Sequence, residues 1–161
     1  MEEEVFSGKL QEFGILTLAQ PYEQHTNADH SQVLILDNKG NVFFERTPSW
    51  HSEKSDVKKM KISGEDAEKI FQSISEYFKE PHECFIIPDL GYWEIILKND
   101  EGKEFKFSNC MSGLVASFKK DSTDPRAKND SELREMTKLI KSILKDDSVI
   151  AFGGCMSMYK F

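Results

Sequence analysis

The stretch WEIILKNDEGKEFKF, residues 93–107, carries the reading of the fold. Asp100-Glu101-Gly102 suits a three-residue hairpin loop, a type I turn completed by a glycine in the left-handed region that forms a bulge. That turn sets the register. With Asn99 closing against Lys103, Leu97 faces Phe105 and Ile95 faces Phe107, so Trp93, Ile95, Leu97, Phe105 and Phe107 share one side. Glu94, Lys98, Glu104 and Lys106 fall on the other. Apolar cross-strand pairs add roughly 0.2–1 kcal/mol each, and the opposite side is wettable apart from Tyr92 and Ile96. The hairpin therefore reads as half buried.

Working outward, VLILDNKGNVFFE at residues 33–45 repeats the plan, with Asn38-Lys39-Gly40 as the loop and Asp37 closing against Asn41. Here both faces are apolar: Leu34, Leu36, Val42 and Phe44 line one, and Val33, Ile35 and Phe43 the other. Such strands belong in the middle of a sheet covered on both sides. The likeness of the two hairpins reads as shared turn chemistry rather than duplication.

The flanks complete the pattern. A first strand is expected at residues 14–19, ended by Pro21, which cannot donate to a ladder. After the turn-rich TPSWHSEKSD, the segment KKMKIS gives a short strand signal, and a helix follows. Ser63 with Asp66 three residues on approximates a capping box. Ala67, Ile70, Phe71, Ile74 and Phe78 then recur at helical spacing until Pro81. A second helix is expected to start at residues 129–131 and run to 145, placing Leu133, Met136, Ile140, Ile143 and Leu144 on one stripe. Its acidic start and lysine-rich end suit the helix dipole. A last strand is expected at residues 149–152, with the tail continuing past a glycine bend. The order predicts an α+β fold: a mostly antiparallel sheet of two β-hairpins plus N- and C-terminal strands, with two helices packed on it.

The 161 residues suit one globular domain over 1–161, and 39% apolar and 11% aromatic content argue against disorder. No run is long enough to span a bilayer, and MEEEVFSGKL lacks the form of a signal peptide, so a cytoplasmic location and no membrane partner are expected. Three widely spaced cysteines, Cys84, Cys110 and Cys155, do not form a secreted disulfide framework and read as reduced thiols. A formal charge of −7 argues against nucleic acid as a partner, because phosphate binding needs a basic surface.

The chain contains no GxSxG elbow, phosphate loop, GxGxxG, HExxH or CxxC, and no catalytic set is assigned. His82 and Cys84 share one side of an extended segment, but zinc sites usually use close-spaced ligand pairs and only one such half is present. No metal and no cofactor are therefore expected. His25 and His30 read as loop residues. The small residues of MSGLVAS and GGCMS mark bends more readily than anion nests. Trp50 and His51, in the connection after the central hairpin, are the candidate partner-binding residues, since an exposed aromatic there is a natural anchor.

Two functions follow. The first is a non-enzymatic protein-interaction module, a small acidic inhibitor or immunity-like protein with a protein partner; the alternative is a small-molecule-binding protein or enzyme with a pocket between the sheet and the loop of residues 117–130. The second apolar face of the central hairpin needs cover. The N-terminal segment of residues 5–18 is expected to supply it within a monomer.

Overall fold

The computed structural model describes residues 4–18, 31–47, 55–82, 91–110 and 125–152. Six strands and two helices follow in the order β1 (Leu10–Leu18), β2 (Ser31–Asp37), β3 (Asn41–Thr47), β4 (Asp56–Lys61), α1 (Gly64–Phe78), β5 (Tyr92–Asn99), β6 (Glu104–Cys110) and α2 (Pro125–Leu144). They build one sheet in the order β4-β3-β2-β1-β5-β6, antiparallel throughout. The fold is α+β. Among the described residues no helix is long and apolar enough to cross a membrane.

Both hairpins form through the expected turns. Gly40 and Gly102 adopt φ of 86° and 80°, and their amides donate to the carbonyls of Asp37 (3.1 Å) and Asn99 (3.0 Å). Leu97 pairs with Phe105 and Ile95 with Phe107, as the loop length requires. Helix α1 starts where the capping signal lies: Ser63 Oγ accepts from the Asp66 amide at 3.1 Å, satisfying one of the orphan donors of the first turn. Helix α2 begins earlier than expected, at Pro125, where the fixed φ of proline suits the first helical position. The polar loop of residues 117–130 is therefore helical from residue 125, and its remainder lies outside the described residues.

Strand β1 lies at the centre, flanked by one hairpin on each side. Its inward side chains Phe13 and Ile15 join Leu34, Leu36, Phe44, Trp93, Ile95 and Leu97 beneath Ile70, Phe71, Ile74 and Phe78 of α1 and Leu133, Met136 and Ile140 of α2. Aromatic edges lock the layers, with Phe71 against Phe13 at 5.8 Å and Phe78 against Trp93 at 5.9 Å. Ahead of β1, Phe6 inserts into the same core against Phe105 at 5.2 Å, and its amide donates to the Phe78 carbonyl at 2.8 Å.

Two expectations are corrected. Residues 149–152 form no strand; the segment lies buried over the helix-covered side of the sheet, and side chains satisfy its backbone. Gln32 Oε1 accepts from the Ile150 amide at 2.7 Å, Thr17 Oγ1 donates to the Ala151 carbonyl at 2.6 Å, and the Phe152 amide donates to Thr137 Oγ1 at 3.2 Å. These polar residues leave no need for a ladder. The tail beyond lies outside the described residues. The N-terminal segment, in turn, supplies no second layer, because residues 10–18 run inside the sheet and Phe6 packs on the helix side.

Candidate protein-docking face

Alternation along the strands places a second set of side chains on the side of the sheet opposite the helices. The cross-strand registers arrange them in rows. One row runs Lys59, Phe43, Ile35, Gly14, Ile96 and Lys106 from β4 to β6; the next runs Val57, Glu45, Val33, Leu16, Glu94 and Ser108. The centre is apolar, Lys59 and Lys106 end the first row, and in the second Glu45 and Glu94 flank the centre with Val57 and Ser108 outside them. Ile35, Val57 and Ile96 are 36%, 47% and 42% exposed, the large apolar side chains that stand out most on the described surface. Leu16, Val33 and Phe43 between them are half-buried. Lys106 Nζ lies 3.2 Å from Glu94 Oε1, an exposed pair of small energetic weight.

Gly14 sits in the middle of this face. A Cβ built there would find Ile35 Cγ1 at 3.6 Å, an ordinary contact, and φ is not in the left-handed region. Neither sterics nor backbone conformation within the chain demands glycine. Its effect is a hollow between Ile35 and Ile96, with Leu16 projecting two residues away on the same strand.

On the other side of the molecule, α1 and α2 border a groove of about 580 Å³ carrying Glu76, Glu80, Glu132 and Glu135. Burial, reinforced by the Glu132 charge, pushes the Tyr77 phenol well above its ordinary value despite a hydrogen bond to Asn129 Oδ1. Tyr77 thus stays a neutral donor across the pH range of proteins. The His82 ring stacks on Tyr77 at 3.8 Å and its Nε2 lies 2.6 Å from the Tyr77 carbonyl, so this histidine seals the end of α1. That arrangement packs the end of α1.

Trp50 and His51, the partner-binding candidates, lie outside the described residues, as do His25, His30, Cys84 and Cys155. Cys110, at the end of β6, is in no disulfide among the described residues. Among the described residues no three His, Cys, Asp or Glu side chains are grouped to hold a metal. Val33, Ile35 and Phe43 were legible as a second apolar face in the sequence, where intramolecular cover was expected for them. The same two-sided pattern was the signal for the exposed face, and the register was needed to see that Ile96 and Leu16 extend it. The chain matches no family model, and no curated protein is significantly similar to it.

Proposed function

We propose that the protein is a non-enzymatic interaction module, of the inhibitor or immunity-like kind, whose docking surface is the open face of the sheet. The observation that carries this reading is the contiguous apolar centre of Ile35, Phe43, Val33, Leu16 and Ile96, with Ile35 and Ile96 more than a third exposed. A sheet face of this kind is uncommon on a surface that meets only water, and a charged rim around an apolar centre is the usual anatomy of a protein interface. A rigid antiparallel sheet also presents these side chains at little ordering cost.

The test is comparative capture. Wild-type protein and the Ile35→Lys/Ile96→Lys double variant are immobilised, exposed to lysate of the source cell, and the bound proteins are quantified. A protein retained by the wild type and lost by the equally folded variant supports the reading. Identical binding profiles for the two baits remove the face as the docking surface.

A further inference from the structure

Resting on the reading of the open face as a docking surface, we propose that its occupant is a second copy of this chain, packed sheet on sheet about a two-fold axis that runs across the strands at the level of Ile15.

An isologous interface must be complementary to itself, so any knob on it needs a hollow related by the axis. Strand β1 carries both: the Gly14 hollow and, two residues on, the Leu16 side chain. A two-fold axis passing between them seats each Leu16 over Gly14 of the second copy. The same rotation lays each row on its neighbour strand by strand, so Ile35 meets Val33 of the other copy, Phe43 meets its Glu45 and Ile96 its Glu94.

The charges select this axis over its alternative. In the first row Lys59 and Lys106 stand at the two outer strands; in the second, Glu45 and Glu94 stand one strand inward on either side. Rotation about an axis parallel to the strands would stack Glu45 on Glu94 and Lys59 on Lys106, placing like charges together in a partly dry interface. Rotation across the strands instead sets each Lys59 beside Glu45 of the other copy, and each Lys106 beside its Glu94. Opposite charges so placed set register and orientation.

The area is adequate. Six strands spaced about 4.8 Å apart and four alternate levels of β1 deep, from Glu12 to Leu18, give a footprint of roughly 30 by 25 Å, so two copies fall within the roughly 1,200–2,000 Å² of stable interfaces. Sheets packed face to face accommodate their twist at about −30°.

The experiment is sedimentation equilibrium of the full chain from low micromolar to near-millimolar concentration, with circular dichroism to verify the fold of each variant. The wild type is expected to dimerise. Gly14→Val fills the hollow with a residue better suited to strands, so it is expected to keep or raise the thermal midpoint while weakening the dimer at least about tenfold. Glu45→Lys is expected to weaken the dimer too, and adding Lys59→Glu to restore it. A dimer strengthened by Glu45→Lys, or unaffected by Gly14→Val, overturns the proposed packing. A wild type that stays monomeric throughout overturns the second copy as occupant. In that event, loss of a captured protein on Ile35→Lys/Ile96→Lys leaves the docking reading standing with a foreign partner, and unchanged capture removes both.

Discussion

The two hairpins that flank β1 are built on one plan and placed in two environments. Asp37 and Asn99 occupy the same turn position: the Oδ1 of each accepts two backbone amides, those of Lys39 and Asn41 in the first turn and of Glu101 and Lys103 in the second, all at 2.9–3.0 Å. The difference lies in the remaining atom. Asp37 is half-buried and its Oδ2 takes a hydrogen bond from Asn41 Nδ2, whereas Asn99 is 3% exposed and its Nδ2 donates to the Ser7 carbonyl beneath the N-terminal arm. Where water reaches, the turn carries a carboxylate; where the arm covers it, a neutral amide supplies the extra donor. The outer faces diverge likewise, with Ile35 and Phe43 on the first hairpin but Glu94, Lys98 and Lys106 on much of the second.

If the hairpins nonetheless belong to one cooperative core, truncating a buried aromatic on each should cost alike. Phe44→Ala and Phe105→Ala, each removing a ring only 1% exposed, are expected to lose about 3–5 kcal/mol in urea unfolding while keeping a single transition. Separate transitions for the two variants would split the sheet into independent halves.

The turn glycines should separate the hairpins. Both have positive φ, but a Cβ on Gly40 would stand 2.1 Å from the Ile62 carbonyl oxygen, while one on Gly102 meets open space. Gly102→Ala is expected to cost about 1–2 kcal/mol from the left-handed conformation alone. Gly40→Ala must also displace backbone, so its loss should be the larger; equal denaturant midpoints would contradict the contact.

Exchanging the turn residues tests the role of the arm. Asn99→Asp is expected to destabilise by about 1–3 kcal/mol at neutral pH, because a buried carboxylate then faces the Ser7 carbonyl and the donor is lost. The loss should shrink in acid, where a protonated carboxyl donates again. Asp37→Asn should cost less at pH 7, since at this more exposed turn only the Asn41 Nδ2 contact and the favourable ionisation are lost; a loss matching that of Asn99→Asp would break the comparison.

The smallest effect is the acid limb of stability. Burial tends to raise the Asp37 pKa, but hydrogen bonds from Asn41 and Lys39, helped by the Lys39 charge, outweigh it and hold the carboxyl below its ordinary 3.8. Asp146 is lowered in the same way, burial being overcome by the Ser148 hydroxyl and amide and by Lys58. A depressed folded pKa means stability fully present above the unfolded value and lost as pH falls through the folded one. Stability should therefore decline below about pH 4, and Asp37→Asn should make that decline shallower than in the wild type. Parallel acid limbs for the two proteins would remove the contribution of Asp37.

Turn type, hairpin register and the α1 cap were legible because each depends on residues within a few positions of one another. The order of the strands was not: nothing in the residues of either hairpin says that β1 is inserted between them, pairing β2 on one side and β5 on the other. Residues 149–152 have strand composition, and only the arrival of Gln32 and Thr17 from distant strands and of Thr137 from α2 gives their backbone groups other partners. The open face was half legible. Val33, Ile35 and Phe43 announced a second apolar side, but its extension across Gly14, Leu16 and Ile96 exists only once β1 is inserted between the hairpins. Trp50 and His51 remain outside what the structure describes.

The central position of β1 also has a consequence for synthesis. Its pairing with β2 begins between residues close in sequence, Leu18 and Ser31, whereas its pairing with β5 reaches from Leu10 to Asn99. On a ribosome, β1 to β4 can assemble first and leave one edge of β1 unpaired until β5 emerges. At about 5–20 residues per second that edge waits for seconds, long compared with the microseconds of hairpin closure, and an unpaired edge invites the wrong strand. A glycine in mid-strand lowers the strand propensity of β1. Gly14 therefore makes a poorer template of a nascent chain during the interval when mispairing is most dangerous.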